Sequence, residues 1–80
     1  MYRNTKIKTE INEESRKRLS DNLVRFRKEN NMSRECLALV CGIDVKHLSR
    51  IERGTANASL DTLDKISEGT GIPVWLLIAD

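Results

Sequence analysis

The stretch ALVCGIDVKHLSRIERG, residues 38–54, decides the fold of this 80-residue chain. Gly42 suits the left-handed position that commonly follows a helix. Two residues later, Asp44 is a favourable N-cap for a second helix, in which aliphatic residues recur at helical spacing. The stretch therefore predicts two short helices, 33–41 and 44–53, that meet at a glycine-containing turn of about three residues.

The flanking sequence predicts three more helices. Their boundaries are marked by polar, glycine or proline residues: Arg16 and Asn30-Asn31 for the first, Ser59, Gly69 and Gly71 for the fourth, and Pro73 for the fifth. In the fourth helix, Leu60, Leu63 and Ile66 follow the apolar face. Together these signals predict an all-α, five-helix domain over residues 16–80, preceded by a flexible basic arm at residues 1–15.

Length and composition indicate one small domain with an anionic partner. Aromatic residues are few, so Leu, Ile, Val and Ala must form most of the core. The net charge is only +2, but residues 1–19 contain six Lys/Arg against three Asp/Glu, residues 20–54 seven against five, and residues 55–80 one against four. The first two-thirds of the chain would therefore attract a polyanion.

Membrane and secreted classes are not indicated. The longest apolar-rich run, IPVWLLIA at residues 72–79, is far shorter than the roughly 20 residues that cross a bilayer. The first residues also lack the apolar segment of a secretory signal. We therefore expect a cytoplasmic protein with no membrane partner.

The cysteines and the histidine give little support to a metal site or an enzyme. Cys36 and Cys41 are separated by roughly 140° on a helix, so they can neither bridge to each other nor hold one metal ion. We expect two buried or half-buried free thiols. His47 is the only histidine and has no companion ligand or nucleophile. The sequence predicts no metal, no cofactor and no enzymatic activity.

The predicted helix 44–53 has one cationic face. On a helical wheel, Leu48, Ile51 and Glu52 fall on one side, Lys46, Ser49, Arg50 and Arg53 on the other, and Val45 and His47 on the flanks. Such a face suits the major groove of DNA, where Lys and Arg meet phosphates and the O6 and N7 acceptors of guanine. The alternative is an ordinary solvated face, and the preceding helix and glycine turn favour DNA.

Glu52 and Arg27 each border an apolar stripe. Glu52 follows Leu48 by four residues, and Arg27 follows Leu23 by the same spacing. Two opposite charges in such positions are most simply explained as a bidentate ion pair that holds the first helix against the cationic helix. In the alternative, both long side chains reach solvent independently.

Residues 19–77 resemble the phage repressor/Cro-type helix-turn-helix proteins, also called the Xre family. The matching pieces are Arg27, Leu37-Ala38, Gly42-Ile43, Leu48-Ser49, Ile51-Glu52-Arg53-Gly54 and Ser59-Leu60. The resemblance implies a lambda-repressor-like domain of five helices that binds double-stranded DNA as a homodimer, on a pseudo-palindromic operator.

The same resemblance implies roles for individual residues. The base-reading positions correspond to Val45, Lys46, His47, Ser49 and Arg50. The phosphate-binding positions correspond to Arg34, Arg53, Thr55 and Asn57, and the ion pair between helices corresponds to Arg27 and Glu52. Three residues depart from the family pattern: Arg34 replaces the usual glutamine, Val45 replaces a common polar base reader, and Ala58 replaces a frequent proline.

The C-terminal segment is too apolar for a single buried face. If Val74 and Leu77 pack inward, then Trp75, Leu76 or Ile78 remains partly exposed, and an exposed apolar patch commonly marks a partner surface. We hypothesise that the fourth and fifth helices form a dimer seam, with Val74, Trp75, Leu76 and Ile78 at the interface. The alternative is a helix folded into a small core.

The leading interpretation is a sequence-specific transcriptional regulator that represses by occupying a promoter. The chain leaves no room for an effector domain, so we expect no small-molecule effector. A controller protein of a restriction–modification system is a narrower version of this interpretation. From other classes, an antitoxin-type module would have a protein as its main partner, and a hydrolase or redox enzyme would require a reactive Cys41.

Overall fold

A computed structural model describes the backbone of residues 5–79 and the side chains of residues 13–79. The helices are α1 (Thr5–Glu29), α2 (Arg34–Cys41), α3 (Val45–Glu52), α4 (Leu60–Thr70) and α5 (Val74–Leu77). Residues 5–79 contain no β-strand. The predicted all-α fold with five helices is therefore confirmed.

One apolar core joins all five helices. α1 packs against α3 and α5, α2 packs against α3 and α4, and α4 contacts α5. The buried core residues are Leu19, Leu23, Leu37, Ala38, Cys41, Leu48, Ile51, Ile66 and Leu77. Each large aliphatic side chain among them stabilises the fold by roughly 1.5–3 kcal/mol relative to an exposed position. The core thus fixes α3 by its inner face alone and leaves the outer face of α3 to solvent.

The turn between α2 and α3 has the geometry that the sequence predicts. Ser33 caps α2, with its Oγ accepting from Cys36 N at 3.0 Å. Gly42 ends α2 at φ +72°, and its N–H donates to Leu39 O at 3.2 Å. Asp44 caps α3 from extended backbone. Because a left-handed residue strains any side chain with a Cβ, glycine at position 42 is what permits so short a turn.

α1 begins earlier than the sequence pattern indicates. Apolar spacing predicts a start near Arg16, whereas the helix begins at Thr5. The segment between these positions contains neither Gly nor Pro and is rich in Lys, Glu and Ile, so nothing in it stops a helix. Apolar periodicity reports burial, and within residues 13–29 the buried core side chains of α1 start at Leu19. The flexibility predicted for residues 1–15 remains a prediction, and residues 1–4 lie outside the described part.

Gly69 does not end α4, contrary to the sequence prediction. The helix continues to Thr70, and Gly71 provides the left-handed C-cap at φ +78°. A Cβ on Gly69 would lie 2.8 Å from both Cα and Sγ of Cys41 and 2.9 Å from Val40 O. Gly69 therefore allows α4 to approach the end of α2 more closely than any other residue would.

Two further side-chain predictions are wrong. Leu60, expected on the inner face of α4, is 75% exposed because it is the first residue of the helix and lies beyond the edge of the core. Cys36, expected to be at least half-buried, is exposed on α2.

Asn22 of α1 fastens the C-terminal helix. Its Nδ2 lies 2.7 Å from Leu77 O and 3.2 Å from Ala79 O, both at the end of α5. Carbonyl groups at a helix end lack partners within the helix, so this side chain supplies a donor that the short α5 needs. α5 is thereby held on the side of the molecule formed by α1 and α4.

Candidate nucleic-acid interface

α3 is presented by its cap and by its buried inner face. Asp44 Oδ2 accepts from Lys46 N at 3.0 Å and from His47 N at 3.3 Å. Leu48 and Ile51 are buried below the helix. These contacts fix both the start and the rotation of α3, so the side chains on its outer face project in defined directions.

The outer face of α3 is cationic and unpaired. Lys46, Arg50 and the following Arg53 are exposed. None of these three side chains forms an ion pair or a hydrogen bond with another residue of the described chain. Exposed cationic side chains of this kind are suited to contact DNA phosphates or base edges.

The flanking positions of α3 are only partly accessible. Val45, His47 and Ser49 are half-buried. Val45 packs against the apolar core, so only part of its side chain can contact a base. Among the five residues predicted to read bases, Lys46 and Arg50 are therefore the exposed ones.

The turn after α3 brings together Thr55, Asn57 and a residue that the sequence reasoning missed. Thr55 Oγ1 donates to Arg50 O at 3.2 Å and so caps the end of α3. Arg16 Nη1 donates to Asn57 Oδ1 at 2.7 Å, which leaves the amide group of Asn57 as a donor. Arg16 and Asn57 are 41 residues apart, and no local pattern pairs them. Only the packing of α1 against this turn reveals Arg16.

Arg27 and Glu52 form the ion pair that the helical wheel predicts. Arg27 Nε lies 2.9 Å from Glu52 Oε2, and Arg27 Nη2 lies 3.1 Å from Glu52 Oε1. The side chain of Glu52 is 1% exposed and that of Arg27 is 15% exposed. The buried Ser20 hydroxyl donates to the backbone oxygen of Glu52. α1 is thereby joined to the end of α3 by charge and by hydrogen bonding.

Arg34 shares the same carboxylate. Its Nε donates to Glu52 Oε1 at 2.9 Å, while its side chain remains 49% exposed. The sequence indicated Arg34 only as a phosphate-binding position, and its bond to Glu52 was missed. A helical wheel compares residues of one helix, whereas this contact depends on how α2 lies against α3.

The thiols lie in different environments. Burial raises the pKa of the Cys41 thiol above its ordinary value, so Cys41 stays protonated and unreactive. Cys36 is exposed on α2.

No group of three or more His, Cys, Asp and Glu side chains among residues 13–79 is arranged to hold a metal ion. In the described part of the chain, no helix is both long and apolar enough to cross a membrane.

The exposed large apolar side chains lie on helices other than α3. Trp75 is 70% exposed and Leu76 is 43% exposed, both on α5. Val74 and Ile78 beside them are half-buried. Leu39, on α2, is 82% exposed. α5 thus presents a short apolar surface, as the sequence predicts for Trp75 and Leu76.

The fold and this site define the class to which the chain belongs. A family model described as helix-turn-helix matches residues 23–74, which is more than half of the chain. The chain therefore belongs to the helix-turn-helix family, of the phage repressor/Cro type that the sequence resembles. This is a family of DNA-binding regulators and not a family of enzymes.

The chain is similar to two curated proteins, and both are named control proteins. Control protein C.BamHI from Bacillus amyloliquefaciens is 48% identical over 44 residues, which cover 55% of this chain and 54% of that protein. The chain therefore spans about half the length of this curated relative. Control protein C.MunI from Mycoplasma sp is 39% identical over 64 residues, which cover 79% of this chain and 86% of the relative.

A solved structure shares the fold. The crystal structure of the hypothetical transcription factor NHTF from Neisseria superimposes with a TM-score of 0.74 at 31% identity. The superposition covers 80% of this chain and 74% of the Neisseria chain.

Proposed function

We propose that the protein is a sequence-specific DNA-binding transcriptional regulator that acts as a homodimer on a pseudo-palindromic operator. One observation supports this most strongly: α3 exposes Lys46 and Arg50, which have no partner among the side chains of residues 13–79, while its opposite face is buried and its first turn is capped. A rigid helix with unpaired cationic side chains on one face fits the major groove and can place the same atoms against the same base edges each time.

The exposed residues divide into two roles. Lys46 and Arg50 would read bases, with Val45, His47 and Ser49 at the edges of the contact. Arg34, Arg53, Thr55 and Asn57 would bind phosphates on either side of the groove. This division is supported by the position of the second group at the N-terminus of α2 and in the turn after α3, since phosphates flank the groove that α3 would enter.

Homodimer formation would supply the two-fold symmetry of the site. Two copies related by a two-fold axis would place their α3 helices in successive major grooves, about 34 Å apart. The apolar surface of α5, with Val74, Trp75, Leu76 and Ile78, would form the seam between the copies. Bound to its operator, the regulator would be located at the nucleoid and would repress by occlusion of a promoter.

The narrower role that we propose is control of a restriction–modification system. Both curated relatives are named control proteins, and one of them aligns with most of this chain. The operator would then lie upstream of a neighbouring methyltransferase or endonuclease gene. An operator beside unrelated genes would leave a general regulator and remove this narrower role.

Selection of an operator from random duplexes tests the proposal directly. The full chain should enrich a two-fold symmetric site, and the binding constant for that duplex should fall steeply as salt rises from about 50 to 200 mM. Enrichment of an asymmetric site would contradict the homodimer. Failure to retain any duplex in dilute buffer would contradict DNA binding altogether and would favour a module whose main partner is a protein.

A further inference from the structure

The carboxylate of Glu52 connects two arginines with different surroundings. Glu52 Oε2 accepts from Arg27 Nε, and Oε1 accepts from both Arg27 Nη2 and Arg34 Nε. Arg27 is nearly buried, with 15% of its side chain exposed, whereas half of the Arg34 side chain faces solvent. One buried acid therefore holds an inner and an outer guanidinium.

The charges of this cluster do not balance. Two guanidinium groups share one carboxylate, so the cluster has a formal charge of +1. The neighbouring Glu35 is exposed and forms no ion pair with Arg34 within residues 13–79. The excess positive charge therefore lies on the solvent-facing edge of Arg34, next to a carboxylate that α1 and α3 hold in place. An anion at that edge would neutralise the cluster.

The orientation of Arg34 matches one kind of anion. The bond to Glu52 uses Nε, and neither Nη group of Arg34 is bonded to another described residue. The Nη1–Nη2 edge of a guanidinium presents parallel N–H groups that suit two oxygens of a phosphate. A lysine at this position could bind either Glu52 or a phosphate, but it has no second edge with which to bind both at fixed geometry.

We propose that Glu52 is a positioning residue for DNA: it holds Arg34 by Nε so that the two Nη groups bind one backbone phosphate. This inference rests on the proposed DNA-binding function and adds a specific role for a residue that DNA does not touch. The carboxylate that joins α1 to α3 then also orients Arg34, the phosphate-binding residue on α2. One carboxylate would therefore help to position all three helices relative to the duplex.

The direction in which one substitution changes the affinity for DNA distinguishes a positioning role of Glu52 from a simple electrostatic one. Glu52→Gln removes a negative charge close to the duplex, and charge alone predicts tighter DNA binding. Positioning predicts weaker binding, because the amide would hold Arg34 less firmly. The probe is a random-sequence duplex of about 30 base pairs at 50 mM salt, since a phosphate contact does not depend on the operator.

A double-mutant cycle gives the test. Glu52→Gln and Arg34→Gln should each weaken binding about tenfold, and the double variant should be no weaker than Arg34→Gln alone. Each should also lower the slope of log K against log [salt] by about 0.9, the loss of one phosphate contact. Arg25→Gln removes an exposed charge from α1 at a distance from this cluster and serves as the matched control. Circular dichroism establishes that each variant is folded at the assay temperature.

Arg34→Lys provides a second measurement that leaves Glu52 unchanged. It keeps the charge and should still lose most of the affinity that Arg34→Gln loses. Full affinity in Arg34→Lys would overturn the proposal. So would tighter binding by Glu52→Gln, or an equal loss from Glu52→Gln in both backgrounds. Absence of any DNA binding by the unmodified protein would instead reject the proposed function.

Discussion

The outer faces of α3 and α5 are both exposed, but they have opposite chemistry. α3 presents Lys46 and Arg50 above an inner face that is fixed by buried leucine, isoleucine and an ion pair. α5 presents Trp75 and Leu76 above a single buried leucine, Leu77. The difference indicates two kinds of partner, because unpaired cations favour a polyanion and an exposed aromatic surface favours another apolar surface. More buried side chains lie beneath α3 than beneath α5.

The largest expected effect is the loss of stability on removal of the ion pair between Arg27 and Glu52, which holds α3 against α1. Arg27→Ala leaves Glu52 as a buried, partly unpaired charge, which should lower the free energy of unfolding by about 3–5 kcal/mol. Urea unfolding followed by circular dichroism measures this change. The matched control is Lys17→Ala, which removes an exposed pair with Asp21 and should cost less than about 1 kcal/mol. Similar losses from both variants would show that the buried pair does not hold α3.

The next effect concerns the packing of α4 against α2. Gly69→Ala puts a methyl group within 3 Å of Cys41 and Val40 backbone atoms, and such overpacking should cost about 1–3 kcal/mol. Glu68→Ala, one residue earlier on the exposed side of α4, should change stability by less than about 0.5 kcal/mol. Thermal unfolding compares the two variants. An unchanged melting temperature in Gly69→Ala would mean that α4 can shift away from α2 at little cost.

Arg50 and Arg53, both near the end of α3, should contribute differently to DNA binding. Arg50→Ala should weaken operator binding by about 1–3 kcal/mol and relax the preference at one base position, because Arg50 would read a base. Arg53→Ala should weaken binding to operator and random duplexes alike and reduce the salt slope by about 1. Titration of both duplexes with each variant makes the comparison. Uniform losses from both arginines would contradict the assigned base reader.

The smallest effect is expected on the α5 side. Trp75→Ala should weaken dimerisation by about 1–2 kcal/mol, as for a partly buried aromatic residue at an interface, without a change in unfolding of the monomer. Sedimentation equilibrium over a concentration series measures the dimer constant. Leu39→Ala, on the exposed face of α2, removes a similar exposed apolar side chain and should leave it unchanged. A loss of dimerisation in Leu39→Ala but not in Trp75→Ala would place the seam on α2 instead.

Particular residues show how far the sequence leads. The caps Ser33, Asp44 and Ser59 and the left-handed Gly42 could be predicted because each acts within a few residues of itself. The pairing of Arg27 with Glu52 could be predicted because each charge interrupts its own apolar stripe. The start of α1 could not be predicted, since the sequence of residues 5–15 has no sustained apolar spacing.

The contacts that the sequence did not reveal all join separate elements. Arg16 of α1 bonds to Asn57 in the turn after α3, and Arg34 shares the carboxylate of Glu52 with Arg27. A side chain at position 69 would collide with Cys41 of α2, so glycine is required there by the contact between α2 and α4 and not by the conformation of α4 itself. None of these has a local signal, because each residue would be acceptable in its own helix or turn without its distant partner. They depend on how closely two elements approach.

The order of the helices, the turn between α2 and α3 and the cationic character of α3 were determined by the sequence alone, because capping, left-handed glycine and apolar spacing act over one or two turns. Only the tertiary structure decided that one carboxylate joins three helices and that, within residues 13–79, the Lys46 and Arg50 side chains have no partner. Those properties depend on distances between helices, and a linear pattern does not contain such distances.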